Sequence, residues 1–131
     1  MKRVFQIDQL IKKIKFEKRK NKKIIHCHGV FDLIHVGHIK HFQEAKRIGD
    51  FLVVSITADK YVNKGSGRPI FNENLRAEVL SSLERVDVVY INHQTTPEKL
   101  ISLIKPDIYF KGPDYKDIKK DKTKNILKEI S

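Results

Sequence analysis

KIIHCHGVFDLIHVGHIKHFQEAKRIGDFLVVSIT, residues 23–57, is the stretch whose reading decides the fold. It opens with a short β-rich run, KIIHCHGV (23–30), which reaches a glycine near its end. Ile39, Phe42, Ala45 and Ile48 then recur at every third position, predicting a helix that stops at Gly49. FLVVSIT (51–57) is continuously apolar, as expected of a strand buried on both faces. Between the first strand and the helix lies HGVFDLIHVGH (28–38), and His26, His28, His35, His38 and His41 all fall in or beside it; the chain has 6 histidines in total.

The same alternation continues on either side. Ile7, Leu10, Ile11 and Ile14 follow the i, i+3, i+4, i+7 spacing of an amphipathic helix starting near Asp8. ADKYVNKGSGRPIF (58–71) is a long polar connection, and Asn72 can cap a helix whose buried stripe is expected to be Leu75, Val79 and Leu83. VDVVYI (86–91) predicts a third strand, TPEKLISLI (96–104) a helix with Pro97 in its first turn, and DIYFKG (107–112) a fourth strand. A last helical segment is expected over about 122–130. Strands alternating with helices imply an α/β fold, a Rossmann-like parallel sheet with helices on both faces. In such sheets ligands bind beyond the carboxyl ends of the strands, which is where HGVFDLIHVGH and, after the fourth strand, Lys111 and Gly112 fall.

With 131 residues and no interdomain linker, the chain reads as a single domain, 1–131. No apolar run is long enough to span a membrane. MKRVFQIDQLIKKIKF interleaves lysine with its apolar residues and has no small-residue cleavage site, which argues against a secretory leader. The single Cys27 excludes an internal disulfide and suits a cytoplasmic protein. Lys and Arg number 27 against 16 Asp and Glu, a net charge of +11, so an anionic partner is expected. Much of this charge sits in KKIKFEKRKNKK (12–23) and KDIKKDKTK (116–124), where it reads as solvated surface. Nucleic acid is not expected as the partner, because the aromatic residues occupy core-periodic positions and leave no platform for stacked bases.

The chemistry lies in the histidine stretch. Gly29 is expected to let the chain turn sharply out of the strand, and Gly37 to let backbone approach a ligand where the helix begins. The free N–H groups at that helix start form an anion site. His35 and His38 bracket Gly37, where imidazole donors can hold phosphate oxygens and offset charge developing in phosphoryl or nucleotidyl transfer. Phe31 is expected to pack inward and Asp32 to orient a histidine or cap the turn, while His28 lies near enough to touch ligand. His26 and Cys27 read as core residues and His41 as a surface residue. His35, His38 and His41 recur at a spacing that zinc could use, but zinc sites usually add cysteine or carboxylate ligands and no second cysteine exists, so no metal ligands are assigned. GSG (65–67) neither follows the first strand nor opens a helix, as a dinucleotide fingerprint would.

HGVFDLIHVGH resembles the G-x-F-D-x-x-H-x-G-H signature of the cytidylyltransferase-like nucleotidyltransferases, matched by Gly29, Phe31, Asp32, His35, Gly37 and His38. KGSGRPI (64–70) with NENLRAEVLSSLERVDVVY (72–90) resembles that family's lysine loop and arginine-bearing helix. TPEKLISLIKPDIYFKGPDY (96–115) is similar to the adenylyltransferase domain of bacterial ADP-heptose synthases, with its K-G-x-D-Y sequence. The resemblance implies transfer of a nucleoside monophosphate from ATP to a phosphorylated small-molecule acceptor of the heptose 1-phosphate type, with release of pyrophosphate. His35, His38 and Lys64 would be catalytic. His28, Gly29, Val30, Phe31, Asp32, Gly37, Arg76, Lys111, Gly112 and Asp114 would form the nucleotide site, with Mg2+ accompanying the triphosphate. The alternative within the class is a CTP-dependent cytidylyltransferase acting on glycerol 3-phosphate or a related alcohol phosphate. An alternative of another class is a non-catalytic nucleotide-binding module. The family often forms homodimers. One departure stands out: the Ser/Thr-rich segment that grips the triphosphate is absent, and KNILKEIS (124–131) carries an apolar stripe, Ile126, Leu127 and Ile130, without a C-cap. Either the chain is a piece of a longer protein, which is the favoured reading, or the triphosphate site is built differently, or activity is weakened.

Overall fold

The computed structural model describes residues 3–63 and 65–111. Its elements are α1 (Ile7–Arg19), β1 (Ile24–Gly29), α2 (Val36–Ile48), β2 (Phe51–Thr57), a short 3-10 turn (Asp59–Tyr61), α3 (Glu73–Ser81), β3 (Val88–Asn92), α4 (Glu98–Ile104) and β4 (Ile108–Tyr109). The four strands form one sheet in the order β3-β2-β1-β4, and each pair is parallel. The α/β, Rossmann-like architecture therefore stands. The predicted segment over 122–130 lies outside the described residues.

Alternation along the strands divides the core in two. Ile25, Cys27, Leu52, Val54, Ile56 and Val89 meet Phe42 and Ala45 of α2 and Ala77 and Leu80 of α3. Ile24, Phe51, Val53 and Val88 meet Leu10 and Ile14 of α1 and Leu100 and Ile104 of α4 on the opposite face. β2 is buried along its whole length, as its unbroken apolar run requires. The chain adds β2 and β3 on one side of β1, then returns to place β4 on the other side. The sheet thus has its topological switch point between β1 and β4, beside the carboxyl end that carries the histidine stretch.

Two expectations need correction. Leu75 and Val79 are 47% and 43% exposed, and the residues that α3 buries are Arg76, Ala77 and Leu80. Arg76 looks polar in sequence, which disguised its face as solvent-facing; its guanidinium is hydrogen-bonded inside, and this rotates Ala77 and Leu80 onto the sheet. Nor does the chain leave β1 through an unusual conformation at Gly29. The residue with positive φ is Phe31, at 50°.

The burial pattern predicts that Leu80→Ala costs about 2–5 kcal/mol in urea unfolding. Leu75→Ser and Val79→Ser should each stay within about 0.5 kcal/mol of the parent. Comparable losses at Leu75 and Leu80 would show that α3 faces the sheet differently.

Candidate functional site

α2 begins with a reciprocal cap made by two histidines. His35 Nδ1 accepts from the Gly37 N–H at 3.0 Å, and His38 Nδ1 accepts from the His35 N–H at 3.2 Å. An imidazole nitrogen that accepts has no proton, so each neutral ring must carry its proton on Nε2. The two rings lie 4.1 Å apart at the start of the helix. The arrangement therefore presents imidazole N–H donors at the positive end of α2, as anion binding requires. Burial and the neighbouring His35 charge hold the His38 pKa below its ordinary value.

The glycines make room for rings. A Cβ at Gly37 would lie 2.8 Å from His35 Cε1 and 3.0 Å from Nδ1, so a side chain there would displace the capping ring. A Cβ at Gly29 would sit 3.0 Å from the Phe31 ring. Phe31 lies edge-on to His38 at 5.5 Å and against Phe42 at 5.4 Å, linking the histidine pair to the core. Its left-handed backbone is uncommon for a bulky residue and is held here by that packing.

Asp32 orients no histidine. Its carboxylate accepts from the Ile70 N–H at 2.7 Å and the Phe71 N–H at 2.8 Å, and pairs with Arg68 at 3.1 Å. Burial raises the Asp32 pKa, but the Phe71 and Ile70 N–H groups and the Arg68 guanidinium together outweigh it, and the net displacement is downward. Asp32 thus fastens the end of the 58–71 connection to the β1–α2 turn. Arg76, 1% exposed, fastens the same region from below. Its Nε donates to Phe71 O, Nη1 to Val30 O and Thr57 O, and Nη2 to Asp59 Oδ1. This guanidinium is committed to protein groups and lies beneath the strand-end surface. Val30 contributes its carbonyl to that clamp.

On the α1/α4 face, a buried polar chain climbs towards the carboxyl ends. His26 Nε2 lies 2.7 Å from Ser55 Oγ, Ser55 Oγ lies 2.7 Å from His28 Nδ1, and His28 Nε2 lies 3.3 Å from Thr57 Oγ1. Burial pushes the His26 pKa down from 6.5 to about 3, with the His28 charge adding to the effect, and burial alone takes His28 to about 4. His41 departs from expectation. It is half-buried and stacks on Phe110 just after β4, with centroids 4.7 Å apart. Lys111 follows as an exposed residue at the β4 end. Lys64, Gly112 and Asp114 lie outside the described residues. Among the described residues no cluster of three His, Cys, Asp or Glu side chains is placed to hold a metal ion.

The structure thus gathers Gly29, Phe31, His35, Gly37 and His38 into one constellation, puts His28 on the other face of β1, and makes Asp32 and Arg76 its framework. Sequence reasoning missed Ser55, Thr57, Asp59 and Arg68. Ser55 and Thr57 do leave a trace, as hydroxyl residues at alternate positions ending an otherwise apolar strand.

The family described as cytidylyltransferase-like matches residues 26–131. The bifunctional protein HldE of Campylobacter jejuni subsp. jejuni is 48% identical over 102 residues, which are 76% of this chain and 22% of that protein. HldE of Nitratiruptor sp. is 44% identical over 114 residues, 86% of this chain and 24% of the relative. The chain therefore spans roughly a quarter or less of these relatives. The crystal structure of the lipopolysaccharide core biosynthesis protein from Thermoplasma volcanium GSS1 aligns with a TM-score of 0.62 and 36% identity, over 67% of this chain and 72% of that one.

Two measurements check this geometry. Arg76→Met leaves buried carbonyls without donors and should cost about 2–4 kcal/mol in urea unfolding; unchanged stability would contradict the clamp. His26 and His28 stay neutral when folded but protonate near 6.5 when unfolded, so the unfolded chain binds more protons below that pH. Their contribution to stability is complete above about pH 6.5 and is lost as pH falls towards 4. Between pH 6.5 and 5 the His26 share should be about 1–2 kcal/mol, and it should disappear in His26→Gln.

Proposed function

We propose a function that starts from ancestry: this chain belongs to the cytidylyltransferase-like family, and its site supports nucleotidyl transfer from ATP to a sugar phosphate of the heptose 1-phosphate type. The carrying observation is the double-histidine cap, which sets N–H donors at the start of α2. The likeness of residues 96–115 to adenylyltransferase domains, and the identity with HldE proteins, support ATP over CTP.

In this reaction an anionic oxygen of the acceptor phosphate attacks the α-phosphorus in line. A P–O bond forms, the bond to the bridging oxygen of the β-phosphate breaks, and pyrophosphate carries away the electron pair. The attacking oxygen bears no proton, so no general base is needed. His35 and His38 donate from Nε2 to the phosphate oxygens on which charge grows, an interaction that strengthens towards the transition state. Lys64 would add a further cation to the phosphates. His28, Lys111, Gly112 and Asp114 would line the nucleotide site from the β1 and β4 ends. Gly29 and Phe31 shape its floor, and Arg76 serves by holding the walls in place.

Magnesium would shield the triphosphate charge. Among the described residues, the carboxylates nearest the strand ends do not fit a protein-held ion, because Asp32 is engaged by Arg68 and two N–H groups and Asp59 by Arg76. The ion would therefore arrive on the phosphates themselves.

The test is pyrophosphate release with ATP or CTP, paired with heptose 1-phosphate or glycerol 3-phosphate. ATP with the heptose phosphate should turn over fastest; CTP with glycerol 3-phosphate doing so would transfer the assignment to the cytidylyltransferase branch. His38→Ala should lower turnover by roughly 10²–10³-fold, at a cost of about 1 kcal/mol for the lost cap. Near-normal turnover in the folded variant would remove His38 from the mechanism. Nucleotide binding without release from any pair would leave a non-catalytic module.

A further inference from the structure

The His26–Ser55–His28–Thr57 chain has a direction, and one atom reveals it. In register, His26 faces Val53 and His28 faces Ser55. Each hydrogen bond therefore crosses between β1 and β2, the His26–Ser55 and His28–Thr57 bonds also advancing two residues towards the carboxyl ends, and Thr57 is the last residue of β2. At the inner end, His26 is 0% exposed and its Nδ1 has no hydrogen-bond partner among the described residues. The Tyr109 ring, 5.1 Å away between centroids, walls the imidazole.

Two proton arrangements satisfy the observed distances while the Ser55 hydroxyl donates one bond and accepts the other. In the first, His26 Nε2–H donates to Ser55 Oγ, the Ser55 hydroxyl donates to His28 Nδ1, and His28 keeps its proton on Nε2. The orphan at His26 Nδ1 is then a lone pair. In the second, every proton is reversed, the orphan is a buried N–H, and the Thr57 hydroxyl donates to His28 Nε2. Genuinely orphaned N–H groups are rare in folded proteins, while under-satisfied acceptors are better tolerated. Both arrangements align the hydrogen bonds head to tail, so the buried orphan is what selects the first.

We propose that His26 and Ser55 are positioning residues that fix His28 as an uncharged Nε2–H donor, so that His28 and the Thr57 hydroxyl beyond it present protons to an uncharged substrate oxygen, a sugar or ribose hydroxyl, at the β1–β2 end. His28 is half-buried, with Nδ1 committed to Ser55 and Nε2 3.3 Å from Thr57 Oγ1 at the strand end, a long contact that lets its N–H be shared with a ligand oxygen. Because it remains neutral, it suits a hydroxyl, while His35 and His38 at the helix start serve the phosphates. The two histidine groups thereby divide the substrate into its neutral and anionic parts. The substrate half of this proposal rests on the nucleotidyltransferase reading; the proton arrangement does not.

The experiment is long-range 1H–15N correlation of the imidazole nitrogens in the 15N-labelled chain at pH 7, free and then titrated with Mg·ATP or with heptose 1-phosphate. In the free chain, His26 and His28 should both show a protonated Nε2 and a bare Nδ1. A protonated Nδ1 on His28 overturns the proposal. Ser55→Ala should lower the urea midpoint, because His26 Nε2 and His28 Nδ1 lose their partner, and in the folded variant His28 should become a mixture of tautomers; an unchanged His28 tautomer would show that Ser55 does not set it. The ligand that moves the His28 Nε2 signal identifies whether the hydroxyl belongs to ribose or to the acceptor. If a ligand perturbs His35 and His38 and neither ligand moves His28, the donor role is wrong. If neither ligand perturbs any histidine, the nucleotidyltransferase reading fails and the donor role with it, whatever tautomer the free chain shows.

Discussion

The buried Arg76 guanidinium is the constraint on which the strand-end architecture depends. From the first turns of α3 it reaches the carbonyl after β1, the last carbonyl of β2, the carboxylate of Asp59 and the carbonyl of Phe71. Loops at the carboxyl end of a parallel sheet have few partners of their own, because each strand's ladder has ended. A planar cation with several fixed donors can satisfy acceptors from separate segments at once, which a lysine ammonium cannot do with the same geometry. Asp32 repeats the device with opposite charge, using one carboxylate to hold two backbone N–H groups and Arg68. Both charges act on the connection that ends at Asn72, one from the core and one from the β1–α2 turn.

Within that frame, the histidines are governed by what each ring nitrogen must do. His35 and His38 spend Nδ1 on the backbone and so turn Nε2–H outward. A helix start normally capped by serine or aspartate is here capped by groups that retain a donor for ligand. The helix cap and the imidazole donors it leaves free are thus one structure. Phe31 completes it: its ring occupies the space left by Gly29 and braces His38, and its left-handed backbone is sustained by that packing.

Much of this was legible in the sequence, though unevenly. Continuous apolar strands and an every-third-residue helix gave the parallel sheet, because burial on both faces leaves no other pattern for β2. The histidine stretch also carries Gly29 and Gly37 at fixed offsets from the Phe31 and His35 rings for which they make room. What periodicity could not show was satisfaction of charge in the interior. The sequence reading gives Arg76 to the nucleotide site and keeps it out of the buried stripe of α3, whereas its guanidinium is buried and clamps loops. Asp32 likewise makes its contacts nearly forty positions along the chain, a distance that no local pattern encodes. Ser55 and the orphaned nitrogen of His26 become meaningful only once the register between β1 and β2 is known.

The most direct measurement is calorimetric titration of Mg·ATP into this chain and into Gly37→Ala. An alanine methyl fits a helix start but would meet the His35 ring at 2.8 Å, so the variant displaces the capping imidazole while leaving the helix and its charge in place. If the double-histidine cap is the triphosphate cradle, the parent binds and the variant binds at least about tenfold more weakly, a difference of about 1.4 kcal/mol. Equal affinity in the two proteins would place the nucleotide elsewhere and contradict the account.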